Sequence, residues 1–427
     1  MQLLRLIPLV LVSVFGAPAA TQADWSTYQG ANSRTGVVTG APAFTGLKSR
    51  FSRRVDGQVY AQPLIVGGRI YVSTENNSVY AFTTDGRLVF RRHFGAPVPG
   101  SSLPCGNISP SGITGTPVIA DGRLFAVAYL RPHRHVLYGL DPATGHVVLR
   151  RVADPGNPIT EQERGALLAD HGRIYVPYGG LYGDCGNYHG VVVSLTTTGA
   201  SKIEYVNPAH EGGIWAPGGL SEEPSGDLLA ATGNGAGGGG GFAFGNSVIR
   251  LSPTLTRKGY WAPSDWAALS SSDSDVGSVE PVSLPGGRVF QSGKNGVGYV
   301  LSPGLGGIGG EAFKGDICDG AYGAPAVSPP FVIMPCQGSL VALRLSGDHF
   351  SVAWRVGGTA GPPIVAGDTV LYIQPSAGRL RALRLTDGSP RDSQPIGTGA
   401  TSFPAIAGSG DLVVAPTGRG FTVFGGA

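Results

Sequence analysis

The residues of this 427-residue sequence that could do chemistry are few and scattered. Asp273, Asp275 and Glu280 stand close together in a Ser-rich stretch; calcium accepts such oxygens, and the same residues suit a solvated turn. Lys294 opens a short apolar segment, where a lysine needs a partner: a ligand in a central channel or a carboxylate of a neighbouring unit. Asp184 lies in the loop 180–189, rich in aromatic and polar groups, which either binds or is merely pinned by Cys185. Trp215 reads as a packed aromatic, and Asn234, in a Gly-rich stretch, as a turn former. His133 and His135 flank Arg134 at an expected hairpin tip, where exposure is expected. The run 237–241 is all glycine, yet no Lys-Ser/Thr follows and no helix begins there, so it reads as a surface loop rather than a phosphate cradle. Neither G-x-S-x-G nor H-E-x-x-H occurs, and no catalytic residue can be assigned from the sequence.

Cysteine supplies the remaining chemistry. Cys105, Cys185, Cys318 and Cys336 are an even number, which in an exported chain argues for disulfides. The expected pairs are Cys105–Cys185, tying neighbouring repeats, and Cys318–Cys336, tying two strands within one repeat. No C-x-x-C spacing suggests a zinc site.

The elements that must position these residues come from an internal repeat. Ala61–Phe94 contains four short alternating segments broken by Gly-Gly and Asp-Gly turns, and the pattern returns from Gly115 to Val152. The third segment of the unit is the clearest marker. It recurs at 78–82, 136–141, 191–196, 247–252, 297–302, 339–344, 379–384 and 420–424, which predicts an all-β, eight-bladed propeller of four-stranded antiparallel blades. The last copy runs into the C-terminus without a fourth strand, whereas 47–55 has fourth-strand character and no blade before it. This N-terminal strand is therefore expected to close the ring and remove its sheet edges.

Composition agrees. Gly 70 and Pro 33 without a collagen period, interleaved with β-branched and aromatic residues, mean many tight turns between short strands. The N-terminus reads as a secretory signal over 1–23, with Arg5, an apolar run from Leu6 to Phe15 and small residues to Ala23, cleaved after Ala19 or Ala23. A single propeller domain, 24–427, is expected to follow, secreted, soluble and monomeric. No stretch approaches the roughly 20 apolar residues of a membrane span. The net charge of +3 is scattered, with no Lys/Arg block, which argues against nucleic acid as a partner.

The repeat, with small-x-Pro opening the first strand and Leu-Asp or Leu-Ser-Pro ending the third, resembles the pyrroloquinoline-quinone-like (quinoprotein dehydrogenase-like) propeller family. That family also contains a non-catalytic outer-membrane assembly lipoprotein. Three stretches are more specifically similar: Gly212-Gly213-Ile214-Trp215 with Ala231-Thr232-Gly233-Asn234, Lys294-Asn295-Gly296 with the strand after it, and Ala262-Pro263-Ser264-Asp265-Trp266. The resemblance implies that Trp215 lies under a planar quinone, that Asn234 and Asp184 ligate calcium, and that Lys294 contacts a quinone oxygen. The departures are equally specific. The adjacent Cys-Cys pair is absent, the family's calcium-binding Glu falls near Asp184 or Cys185, the run 237–246 lacks the expected carboxylate base, and there is no C-x-x-C-H haem site. The leading expectation is a non-catalytic secreted binding scaffold for an extracellular protein, a polymer or a small planar ligand. The alternative is a divergent pyrroloquinoline-quinone/calcium-dependent oxidoreductase of alcohol or sugar dehydrogenase type. Convergence of Trp215, Asn234, Lys294 and Asp184 at one channel mouth would favour a cofactor site; dispersal would favour the scaffold.

Overall fold

The computed structural model describes residues 23–397 and 401–426; the expected leader lies outside them except for Ala23. Each repeat folds as one antiparallel sheet, because alternating residues between Gly-rich turns give each strand two usable faces. Blade I is Leu64–Val66, Arg69–Thr74, Ser78–Thr83 and Leu88–His93, hydrogen-bonded in that order. Seven further sheets follow, and their third strands begin within two residues of the eight marker segments. First strands of successive blades touch one another and surround the axis. Fourth strands lie outermost and alternate in exposure, as in Glu311–Asp316.

Blade VIII takes its fourth strand from the N-terminal side. Leu47–Arg54 pairs antiparallel with Gly420–Gly426, from Leu47 opposite Gly426 to Arg54 opposite Gly420. Apolar side chains of blades VII, VIII and I, including Leu371, Val414, Phe421 and Val72, form one core cluster across this seam. The ring is closed as the missing fourth strand required.

One element has no counterpart in the repeat. Residues 23–38 cross the axis at one end of the channel. Trp25 bridges Ile65 of blade I, Ser26 accepts from Ile119 of blade II, and Thr35 accepts from Val327 of blade VI. Val37–Val38 then pairs in parallel with Ile364–Ala366 of blade VII. Arg34, fully buried, pins the middle of the plug: its guanidinium donates to the carbonyls of Leu220 (2.9 Å), Leu167 (3.1 Å) and Tyr28 (3.0 Å) and to Thr27 Oγ1 (2.7 Å).

Both cysteine pairs are disulfides. Cys105–Cys185 ties the crossover from blade I to blade II to a hairpin of blade III. Cys318–Cys336 joins two blades, not two strands of one repeat as expected. Cys318 follows the last strand of blade V, and Cys336 lies in the hairpin between Phe331–Pro335 and Ser339–Ser346 of blade VI. Two further expectations are corrected. His135 is 1% exposed and stacks on Tyr129 at 4.1 Å, because it points inward from the strand Arg134–Leu140 instead of capping the hairpin tip. Asp275 and Glu280 are buried, and in the acidic stretch only Asp273 is solvated as expected.

Candidate functional site

In an antiparallel blade the hairpin joining the second and third strands opens on the same face as the crossover from the fourth strand to the next blade. Asp184, Asn234 and Lys294 are in such hairpins, of blades III, IV and V; Trp215 is in a crossover between blades III and IV. All four line one cavity of about 740 Å³. The cavity opens on the face opposite the plug. A void of about 20 Å³, bordered by Tyr28, Tyr60 and Arg164, separates its base from the plug segment, so the funnel is blind.

The wall on the blade IV–V side is built around an ammonium group. Lys294 Nζ lies 2.5 Å from Asp275 Oδ2 and 2.7 Å from Asp273 Oδ1, and 5.6 Å from the centroid of the Trp215 ring. Burial lowers the ammonium pKa, but Asp275 and Asp273 more than offset it and Lys294 stays charged. At Asp275 burial wins and its carboxyl stands above the usual range, although Lys294 pulls it down. Asn234 completes the cluster. Its backbone N–H donates to Asp275 and its side-chain amide donates to Asp273 at 2.7 Å. Buried Gln291 staples the acidic loop through the carbonyls of Val276 and Val279, at 2.6 and 2.9 Å. Gly233 must be glycine here, because a Cβ would stand 2.6 Å from Asp275 Oδ1 and 3.0 Å from Trp215 Nε1.

Asp184 stands at the exposed rim, in a left-handed conformation (φ 51°), and accepts the Tyr188 hydroxyl at 2.6 Å. Sequence reasoning missed the opposite wall. There Tyr322 and Phe403 stack at 5.9 Å with an 18° interplanar angle, and the Arg164 guanidinium lies 5.9 Å from the Phe403 centroid. All three come from crossovers, the positional signal that could have found them. Reading that signal needs strand boundaries more exact than a repeat alignment provides.

The residues were tested against the quinone and calcium that the resemblance implies. The cavity is large enough for a planar ligand and Trp215 borders it. The calcium set does not assemble: Asn234 and Asp184 are each engaged elsewhere, and among the described residues no three His, Cys, Asp or Glu side chains converge to hold a metal ion. The lining also opposes a polyanion. Arg164 and Lys294 face five carboxylates, Asp184, Glu211, Asp273, Asp275 and Asp319, a formal charge of −3. As arranged, the site does not fit calcium and a tricarboxylate quinone together.

Comparisons with known proteins agree with the fold. Residues 15–104 match the family described as outer membrane protein assembly factor BamB. A quinohemoprotein alcohol dehydrogenase from Comamonas testosteroni superposes with a TM-score of 0.74 at 15% identity, over 94% of this chain and 80% of that one. A europium-containing methanol dehydrogenase gives 0.75 at 15% identity, over 94% and 98%. BamB from Moraxella catarrhalis gives 0.62 at 12% identity, over 89% and 99%. Among curated proteins no sequence relative matches. The chain is a propeller of the pyrroloquinoline-quinone-like repeat type, and at these identities the likeness to solved structures is one of fold.

Proposed function

We propose that the protein is an exported, non-catalytic binding propeller that takes a small ligand in its blind funnel. The observation that carries this reading is the cavity of about 740 Å³ on the hairpin–crossover face, where Trp215, Asn234, Lys294 and Asp184 meet. Convergence of these four residues at one channel mouth is the arrangement that favours a cofactor site over dispersal around the ring. It supports a ligand site, while the charge and the engaged side chains argue against the quinone–calcium pair as occupant. The expected leader and the two disulfides are consistent with an extracellular location.

One observation favours the second reading, a divergent quinone-dependent oxidoreductase. Asp275 is a buried carboxylate with a raised pKa beside Lys294 and Asn234, and so supplies the proton acceptor that the run 237–246 lacks. Calorimetric titration with pyrroloquinoline quinone, with and without calcium, separates the two. The binding reading expects no calcium-dependent quinone heat. Calcium-dependent binding lost in Trp215→Ala would replace it with the oxidoreductase reading, and turnover of alcohols or sugars with an artificial electron acceptor would then be measured.

A further inference from the structure

Arg164 differs from the other cations around the channel. Arg34 spends its donors on four acceptors, and Lys294 is held between two carboxylates. Arg164 borders both the funnel and the small void beneath it, yet among the described residues its guanidinium has no hydrogen bond or ion pair. It lies 5.9 Å from the centroid of the Phe403 ring. The nearby carboxylate of Glu75 influences it only at a distance: Glu75 Oε2 accepts from Gly112 N (2.6 Å) and Thr114 Oγ1 (3.1 Å), and Oε1 has no hydrogen-bond partner among the described residues. A guanidinium carries five N–H donors in a planar fork, and this part-exposed fork presents its donors to whatever fills the funnel rather than to the fold. Such a cation is a site waiting for an anion.

The surroundings narrow the anion. The stacked rings of Phe403 and Tyr322 lie beside the fork and offer a flat surface to an aromatic body. Lys294 is already neutralised, so Arg164 is the only cation of the lining with charge to spare, and the exposed Asp184 and Asp319 at the rim repel any second negative group. Resting on the funnel-binding reading above, we propose that Arg164 anchors a single carboxylate and that the ligand is an aromatic monocarboxylate. The carboxylate takes the guanidinium fork at the base of the funnel and the ring lies along Phe403 and Tyr322. This occupant differs from a polyanionic quinone in the property the funnel selects, its number of negative charges.

The test uses the full exported chain, with indole-3-acetate, neutral indole-3-acetamide and pyrroloquinoline quinone as probes, followed by calorimetry. Wild type is expected to prefer the acid over its amide by about tenfold to a hundredfold, the range of a charge-assisted pair. Arg164→Gln should abolish that preference and Arg164→Lys should keep part of it. Because the guanidinium makes no hydrogen bond or ion pair within the fold, Arg164→Gln should also melt no lower than wild type, which separates an anchor from a structural residue. Equal affinity for acid and amide, or a preference that survives Arg164→Gln, overturns the anchor while leaving the funnel reading intact. Tighter binding of the quinone than of the monocarboxylate overturns the ligand class. Binding of the acid that Trp215→Ala, Phe403→Ala and Arg164→Gln all leave unchanged overturns the funnel reading itself, as does the absence of binding by all three probes.

Discussion

Lys294 Nζ lies 2.5 Å from Asp275 Oδ2, inside a wall that also contains Trp215. Neither partner is free to leave: Asp275 is 4% exposed and also accepts from the backbone of Asn234. Removing the ammonium strands a buried carboxylate, and removing the carboxylate leaves Lys294 with exposed Asp273 alone. Lys294→Met is therefore expected to destabilise by roughly 1–3 kcal/mol, less than a fully buried pair because the lysine is part-exposed. Asp275→Asn should cost less, since the amide still accepts from Asn234. Chemical denaturation of both variants checks this, and a Lys294→Met midpoint equal to wild type would mean that the pair contributes nothing to the fold.

The plug predicts a larger effect far from the funnel. Arg34→Met preserves length but leaves the carbonyls of Leu220, Leu167 and Tyr28 without their donor. The expected loss is about 3–5 kcal/mol, the range for breaking a buried charged cluster by removing one partner. Urea unfolding measures it. Limited proteolysis should also begin to cut within residues 23–38, where the wild type is protected; a variant as stable and as resistant as wild type would show that the plug is dispensable.

How much of this was legible in the sequence follows from what repeats. The blades were legible because each third strand is an apolar run between glycine turns, and the closing strand because Gly420–Gly426 lacked a partner. The four candidate residues were singled out through a resemblance, and they line one cavity because hairpins and crossovers share a face. The plug was not legible: 23–38 occurs once, and its order comes from backbone N–H and carbonyl groups of several blades and from Arg34, not from its own pattern. Arg164, Tyr322 and Phe403 are ordinary loop residues in the sequence, and only the ring brings blade II–III, V–VI and VII–VIII crossovers together. The inward turn of His135 was lost because a hairpin tip and the first residues of its strand look alike in sequence.

The Cys105–Cys185 bridge holds the Asp184 loop against the crossover that carries Asn107. Replacing both cysteines with serine removes a constraint across 80 residues of sequence, worth roughly 4 kcal/mol in the chain-entropy model. It should also raise amide exchange over residues 181–188 while exchange in the blade III strands stays slow. Faster exchange throughout blade III would instead mean that the bridge supports the blade, not the rim of the funnel.

Buried acids around the channel give the fold a pH dependence with a definite sign. Burial pushes the Glu75 and Glu280 carboxyls up to about 7, against 4.5 for an ordinary glutamate, despite hydrogen bonds from Gly112 and Gly218. Glu163 is raised by the same cause. Between about 4.5 and about 7 the folded chain keeps protons that the unfolded chain has released, so stability falls as pH rises through that window. His135 acts in the opposite sense. Burial, aided by His133, holds it at about 3 against 6.5, so its contribution is present above about 6.5 and is lost as pH falls. The acids outnumber the imidazole, and the melting temperature is expected to be higher near pH 5 than above pH 7. Glu280→Gln should gain on wild type by up to about 1.4 kcal/mol per pH unit across the window. A wild-type-to-variant difference that stays flat from acid to neutral pH would show that Glu280 does not titrate there.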